Sequence, residues 1–403
     1  MNRPLRILFL ASYFPKPGNP LMGTWALKQA QALARNPDAE LLTVSFTSWV
    51  PPILARGKGA KAYAECPAQH TWPGGVRVLY PRWLYYPVGP IRRLMHKSPG
   101  LFMRLAAWSA RAELKRIRAE FKPDAIFCHH GLPNGFLAAE TGLPFAVTEH
   151  DFGEVEDCMR LPARRRAFAG VAHGARKLIA INRRMETAMQ NAAPGARTEV
   201  LYNGVDLPPA GLRLAPRPPE IQGKQVILCV GLFAERKGVP LLVEAFAKAA
   251  ASHPNAILRI VGSGPDEPRI RETIARLNLA SRVQMAGRKS PEEVLQEMSW
   301  ADCFALLGWD EPFATVYLEA MSVGTPVLCC SDGGICDVVK HGVHGLIVAP
   351  KDVDAAASAL ENALANPQEL RRMGENGRRL VEDRLTWDAN TRRLVEILAG
   401  QTP

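Results

Sequence analysis

Residues 226–251 read VILCVGLFAERKGVPLLVEAFAKAAA and contain three successive patterns. A short apolar run, Val226–Val230, is followed by a loop that ends in Gly238 and then by a segment with apolar residues at helical spacing. An apolar run without polar alternation is typical of a strand that is covered on both faces, as in parallel sheets. The succession of strand, loop and helix therefore predicts one unit of an α/β fold.

The same pattern recurs along the chain, on both sides of this stretch. In the C-terminal half, helical segments separate further strands predicted at Ala256–Val261, Val283–Ala286, Cys303–Leu306 and Val327–Cys329. In the N-terminal half, strands are predicted at Leu5–Ala11, Leu41–Phe46, Val76–Leu79, Ala125–Cys128, Phe145–Thr148, Leu178–Ile181 and Glu199–Leu201.

The two series of strands predict two domains. Residues 207–223 contain five prolines and are predicted to be a stiff linker. The domains expected are 1–206 and 224–385, with a last helix in 386–400 that crosses back to the first domain. Because ligands of parallel sheets bind at the carboxyl ends of the strands, two facing sheets would share a ligand in the cleft between them.

Composition limits the class of protein. The chain has 403 residues and eight cysteines, none of them in a CxxC pair, so we expect reduced cysteines in a cytoplasmic protein without a zinc site. No stretch reaches the roughly 18 apolar residues of a membrane-spanning helix. The apolar N-terminus lacks a cleavage signal and is interpreted as the first strand.

Charge is distributed unevenly. Residues 1–206 contain 28 Lys and Arg against 15 Asp and Glu, whereas the remainder contains 22 against 24. This asymmetry favours an anionic partner for the first domain: a lipid surface, a phosphorylated acceptor or nucleic acid. Nucleic acid is the least favoured of the three, because the basic residues form no recognisable nucleic-acid-binding motif. A well-solvated basic surface is the alternative. The residues concerned are Arg92, Arg93, His96, Lys97, Arg104, Arg111, Lys115, Arg118, Lys122 and Arg164–Arg166, with Trp83, Tyr85, Tyr86 and Trp108 as interfacial aromatics.

The segment DEPFATVYLEA at 310–320 carries two acids, Glu311 and Glu319, with seven residues between them. Glu311 is predicted in a loop after a strand and Glu319 about one turn inside the next helix. Free backbone amides at such a helix start bind phosphate, and flanking carboxylates accept hydrogen bonds from sugar hydroxyls. By spacing alone, a capping acid and an exposed acid are the alternative.

This segment resembles the E-x7-E motif of glycosyltransferase family 4. Four further segments, in the same order as in the family, resemble its other motifs: Asn203–Asp206, Gly231–Gly238, Val261–Pro265 and Met321–Val327. The resemblance implies an α/β fold of the GT-B type, with two facing, Rossmann-like, doubly wound parallel sheets and an inter-domain cleft. It also implies a nucleotide-sugar donor and no metal.

The resemblance implies roles for individual residues. His150, Glu311 and Lys237 are implied as catalytic, and His129, His130 and His150 as acceptor-side residues. The donor-binding residues implied are Gly23, Thr24, Arg236, Lys237, Gly262, Arg288, Glu311, Phe313, Ala314, Thr315, Val316 and Glu319. Lys237 would neutralise the diphosphate, Glu319 would bind the ribose, Glu311 would bind a sugar hydroxyl and Arg288 would lie near the base.

Two departures from the family pattern affect the donor site. Leu232 stands where the family has an arginine, and Arg236 is the nearest substitute. Ala314 stands where the family prefers glycine.

The sequence therefore predicts a retaining glycosyltransferase. It would move a sugar from a UDP- or GDP-sugar to a glycan or lipid-linked acceptor in cell-surface polysaccharide assembly, at the inner face of the cell membrane. A non-catalytic GT-B scaffold and a sugar-nucleotide epimerase are the alternatives.

Overall fold

A computed structural model of the protein describes residues 3–86, 99–209 and 215–401. The chain divides into two compact units, one made of Met1–Asn203 with Trp387–Pro403 and the other of Gly204–Thr386. Two earlier expectations fall in part outside the described residues: the basic residues at 92–97 and the middle of the proline-rich linker at 210–214.

The first unit is built on an eight-stranded sheet in the order β10-β9-β8-β7-β1-β2-β5-β4. All neighbours are parallel except β4, which pairs antiparallel with β5 and was not predicted. A separate short parallel pair is formed by β3 and β6. The strands are β1 Leu5–Leu10, β2 Ala39–Val44, β3 Thr47–Ser48, β4 Gln69–Trp72, β5 Val76–Leu79, β6 Arg82–Trp83, β7 Ala125–His129, β8 Phe145–Glu149, β9 Lys177–Ala180 and β10 Thr198–Val200.

Helices cover both faces of this sheet, as the unalternating apolar strands predict. The helices of the first unit are α1 Thr24–Arg35, α2 Gly57–Ala64, α3 Pro99–Phe121, α4 Phe136–Ala139, α5 Phe152–Arg160, α6 Pro162–Gly174, α7 Arg183–Ala192 and, from the C-terminal segment, α14 Trp387–Ala399. Helix α14 adds Leu394, Ile397 and Leu398 to the core that contains Ile7 and Phe9.

The second unit is built on a six-stranded parallel sheet in the order β13-β12-β11-β14-β15-β16. Its strands are β11 Gln225–Leu232, β12 Ala256–Ser263, β13 Val283–Gly287, β14 Cys303–Ala305, β15 Val327–Cys330 and β16 Gly345–Val348. Its helices are α8 Val239–Ala249, α9 Glu267–Arg276, α10 Pro291–Trp300, α11 Val316–Ser322, α12 Val353–Ala365 and α13 Pro367–Arg384.

Both sheets reverse their direction of growth at one point. In the second unit the strands follow the 3-2-1-4-5-6 order of dinucleotide-binding sheets, and the reversal lies between β11 and β14. In the first unit it lies between β1 and β7. Open parallel sheets bind their ligands beside such a reversal, at the carboxyl ends of the strands. The topology therefore directs attention to the loops after these four strands.

Candidate active site

The loops after β11 and β14 bring together three charged side chains of the second unit. One carboxylate oxygen of Glu311 lies 2.7 Å from the Arg236 guanidinium, and the other lies 2.9 Å from Lys237 Nζ. Glu311 is buried, with 4% of its surface exposed. We call these three residues the Glu311 cluster. Because two cations share one carboxylate, the cluster has a net positive charge that suits an anionic ligand.

Backbone contacts hold the two loops of the Glu311 cluster together. Trp309 N donates to Arg236 O at 3.0 Å, and Gly334 N, which follows β15, donates to Glu311 O at 2.9 Å. Gly238 adopts a φ of +65°, and a Cβ there would lie 2.2 Å from Leu307 O. Only glycine therefore allows the β11 loop to approach the end of β14 this closely.

The structure clarifies the roles that sequence assigned to these side chains. Lys237 was expected to face a diphosphate and Glu311 a sugar hydroxyl, and Arg236 had no predicted direction. In the structure, Glu311 contacts both cations directly. The side chain of Arg236 is half exposed, whereas that of Lys237 is 17% exposed. Leu232, where the family has an arginine, is 61% exposed.

Helix α11 is shorter than the Thr315–Val323 helix that the sequence predicted. It has seven residues and begins at Val316, with Thr315 as the preceding cap residue and Glu319 in the first turn. The first backbone bonds run from Tyr317 N to Ala314 O and from Glu319 N to Thr315 O. The helix is therefore one residue shorter than predicted at each end.

The other residues predicted to bind the donor lie on several elements of the second unit. Phe313 is buried at 6% exposure. Gly262, at the end of β12, has a φ of +141°, and a Cβ there would lie 1.9 Å from Gly231 O, so strand packing already explains this glycine. Arg288 is exposed and follows β13, the edge strand, two strands from β11. Sheet order thus separates Arg288 from the Glu311 cluster.

The loops after β1 and β7 form the corresponding region of the first unit. Gly23 has a φ of +66° and precedes α1, and a Cβ there would lie 2.3 Å from Tyr13 O. Thr24 is the exposed first residue of α1. Ser12 Oγ, after β1, donates to Asn134 Oδ1, after β7, at 2.7 Å. The predicted glycine loop therefore lies at the reversal point of this sheet.

The predicted histidines lie at the ends of β7 and β8. The rings of His129 and His150 are 4.3 Å apart, and burial holds the pKa of each well below its usual value. His129 is 1% exposed, and its Nε2 lies 2.7 Å from Gln29 Oε1. His129 therefore has a structural role beneath the candidate site, whereas His150 is partly exposed.

Glu149 is a site residue that sequence reasoning passed over. It is 2% exposed, accepts a hydrogen bond from Gly131 N, and lies 3.3 Å from His130 Nδ1. Burial opposes the charged form of His130, but the hydrogen bond and charge of Glu149 raise its pKa overall. An acid at the end of an apolar strand, between Thr148 and His150, was the available signal.

The prediction of an exposed basic cluster at Arg164–Arg166 is wrong for Arg164. Arg164 is buried and pairs with Glu154, so only Arg165 and Arg166 of that cluster are exposed. Trp83 is also buried, where its ring stacks on Phe46, and is no interfacial aromatic.

Within the described ranges, no group of three His, Cys, Asp or Glu residues could hold a metal ion. Nor does any described helix combine the length and apolarity needed to cross a membrane.

Comparison with known proteins identifies the family. The profile of "Glycosyl transferases group 1" matches residues 214–380, and that of "Glycosyltransferase Family 4" matches residues 53–208. The GDP-mannose-dependent alpha-(1-6)-phosphatidylinositol monomannoside mannosyltransferase of Mycolicibacterium smegmatis is 30% identical over 310 residues, which cover 72% of this chain and 80% of that protein. The chain belongs to glycosyltransferase family 4.

Solved structures show that this family 4 protein has the GT-B fold. Sucrose-phosphate synthase from Thermosynechococcus elongatus superposes with a TM-score of 0.74 at 22% identity, and the alignment covers 98% of both chains. The Anabaena protein HepE in complex with UDP and glucose gives 0.67 at 21% identity, covering 98% of this chain and 99% of the other. The predictions of an α/β GT-B fold and of a glycosyltransferase that uses nucleotide sugars are confirmed.

Proposed function

We propose that this family 4 enzyme transfers a hexose, with retention of configuration, from a nucleoside diphosphate sugar to a lipid-linked or glycan acceptor of the cell surface. The observation that supports the donor assignment is the Glu311 cluster, which places Lys237 and Arg236 at the reversal point of the second sheet. GDP-mannose is the donor named for the mycobacterial relative and is our first choice.

The chemistry requires stabilisation of a leaving diphosphate. As the bond between the sugar C1 and the phosphate oxygen breaks, negative charge develops on the diphosphate and positive charge on the sugar ring. Lys237 and Arg236 are held in place before the reaction by Glu311, so they stabilise that negative charge without reorganisation. We propose that this makes a metal ion unnecessary and that His150 contacts the transferred sugar or the acceptor.

A thermal-shift panel of UDP-, GDP-, ADP- and TDP-sugars tests the donor assignment. A ligand at 100 times its dissociation constant should stabilise the protein by ~2.7 kcal/mol. Lys237→Met should remove most of this shift. Lys248→Met, which removes an exposed lysine paired with Asp354 elsewhere in the same unit, should keep it. Retention of the full shift in Lys237→Met would contradict the assignment.

We propose, second, that α3 contacts an anionic membrane surface where a lipid-linked acceptor resides. Leu101 and Trp108 on this helix are 67% and 66% exposed, and Arg104 and Lys115 are exposed at matching helical spacing. The opposite side of α3 is buried in the core. Aromatic and basic side chains on one face suit a membrane interface, and each basic residue contributes about 1 kcal/mol there.

Vesicle co-sedimentation tests the membrane contact. The protein should bind vesicles with phosphatidylglycerol more strongly than pure phosphatidylcholine vesicles. Trp108→Ser with Arg104→Ser should reduce this binding severalfold. Arg116→Ser is the matched control on the same helix, because Arg116 already pairs with Glu113 and Glu120. Equal binding by the double variant and the wild type would refute the assignment of α3.

A further inference from the structure

Two cysteines of the second unit lie close together beside the loop of the Glu311 cluster. Cys329 Sγ, in β15, is 3.9 Å from Cys336 Sγ, in the 3-10 turn Gly334–Asp337 that follows the strand. Cys329 is fully buried, whereas Cys336 is partly exposed. Cys336 is therefore the more exposed residue of the pair, and its neighbour Cys329 is shielded from solvent.

The two thiols differ in acidity in the sense that favours reaction at Cys336. The hydrogen bond between the two thiols lowers the pKa of Cys336, against a smaller opposing effect of burial, and raises the pKa of Cys329. Thiolates rather than thiols react with oxidants, so the partly exposed sulfur is also the more nucleophilic one.

Neighbouring cysteines do not offer the same geometry. Cys330 follows Cys329 in the strand, and successive strand residues face opposite sides of a sheet. Cys336 contacts the backbone of Cys330, as a donor to its carbonyl oxygen at 3.2 Å. The pair is thus defined by the placement of Cys329 and Cys336.

We propose that Cys329 and Cys336 form a peroxide-sensitive dithiol site that closes an intrachain disulfide. The Cys336 thiolate attacks a peroxide oxygen, and the O–O bond breaks. Hydroxide is released, and Cys336 becomes a sulfenic acid. The Cys329 thiol then attacks that sulfur, the S–O bond breaks, and water leaves. Two thiols are oxidised and one peroxide is reduced to two waters.

Closing the disulfide would act on the Glu311 cluster. A disulfide holds its sulfur atoms about 2.0 Å apart, so the sulfurs must approach each other by about 1.9 Å. The moving turn contains Gly334, whose amide donates to Glu311 O at 2.9 Å. Oxidation should therefore shift Glu311, and with it Lys237, and weaken the binding of diphosphates. This consequence rests on the proposed function, whereas the disulfide itself does not.

Mass spectrometry tests the disulfide. Treatment of the native protein with hydrogen peroxide should lower the intact mass by about 2 Da, reversibly with dithiothreitol. Cleavage before aspartates separates the cysteines into 302–309 with Cys303, 310–331 with Cys329 and Cys330, and 332–336 with Cys336. The oxidised protein should yield 310–331 linked to 332–336. Cys329→Ala and Cys336→Ser should abolish the link, and Cys330→Ala should retain it.

A link that survives Cys329→Ala, or no link after complete peroxide treatment, would overturn the proposal. Pyrophosphate binding, measured by calorimetry on reduced and oxidised Cys330→Ala protein, tests the consequence. Oxidation should weaken binding roughly tenfold, equivalent to ~1.4 kcal/mol. If pyrophosphate binding is unchanged when all of the protein carries the disulfide, the proposed effect of oxidation on the Glu311 cluster is overturned. Reduced protein that binds no pyrophosphate contradicts the proposed function instead.

Discussion

Glu311 holds two cations, Lys237 and Arg236, in position. Replacing Glu311 should therefore affect the enzyme differently from replacing either cation. Glu311→Gln keeps the size of the side chain but leaves Lys237 and Arg236 without their shared carboxylate. We expect nucleoside diphosphates still to bind, because both positive charges remain, whereas kcat should fall by about 10², the lower end for loss of a positioned charge-stabilising group. Steady-state kinetics with GDP-mannose, or with whichever donor the thermal-shift panel selects, measures the effect.

A paired surface acid provides the control for this change. Glu244→Gln removes a carboxylate that is bonded to Arg276 in the same unit and should leave kcat unchanged. If Glu311→Gln instead weakened nucleotide binding and left kcat unchanged, Glu311 would be a ligand-binding residue and not the residue that orders the cations.

His130 should titrate as a partner of Glu149. Because Glu149 raises the pKa of His130 in the folded protein, the ion pair stabilises the fold at pH values below the usual histidine pKa, and this contribution disappears as pH rises through the raised value. Glu149→Gln should therefore lower the pKa of His130, as followed by NMR of the imidazole protons.

A second acid near His130 offers a matched comparison. Glu154 also raises the pKa of His130, but through charge alone and by less. Glu154→Gln should give a smaller decrease than Glu149→Gln. A larger decrease with Glu154→Gln would show that the close contact with Glu149 does not dominate.

At the scale of elements, the stability of the paired ends of β11 and β12 should depend more on Gly262 than on its partner Gly231. Gly231 and Gly262 are paired in register, yet a Cβ on Gly262 would collide with Gly231 O, whereas a Cβ on Gly231 meets nothing within 4 Å. Gly262→Ala should destabilise the protein by at least the ~1–3 kcal/mol of an unfavourable backbone conformation. Gly231→Ala should cost less. Chemical denaturation compares them, and equal losses would refute the strain at Gly262.

Most strands of the two large sheets were predictable because their signals are local. Apolar runs define parallel strands, and the motifs that follow them, such as Gly231–Gly238, indicate the family. The antiparallel strand β4 was missed because its sequence, Gln69–Trp72, is polar apart from Trp72 and none of its residues is buried. The burial of Arg164 was missed because its partner, Glu154, lies on the preceding helix and no sequence pattern joins them.

The candidate site was predicted as a set of residues but not as a set of contacts. Glu311, Lys237 and Arg236 were all named, because they lie in loops after predicted strands that resemble motifs of the family. Their pairing depends on how closely two loops approach each other, and that distance is fixed by Gly238 and by backbone bonds between loops far apart in sequence. Periodicity and composition contain no information on it.

At the scale of the whole molecule, the two units should melt separately. Leu394 of α14 is fully buried in the first unit, and Leu360 of α12 is fully buried in the second. Each change to alanine should cost about 2–5 kcal/mol. In differential scanning calorimetry, Leu394→Ala should lower one transition and Leu360→Ala the other. Two variants that lower the same single transition would show that the units unfold together.

The position of α14 in the chain has a consequence for biosynthesis. The core of the first unit is completed by a helix that emerges from the ribosome only after all of Gly204–Thr386 has been made. At ~5–20 residues per second, the apolar surface that receives Leu394 and Leu398 stays uncovered for roughly 10–40 s. During that interval the nascent chain exposes this apolar surface and can aggregate through it. The yield of folded protein in the cell should therefore depend on chaperones that bind the surface.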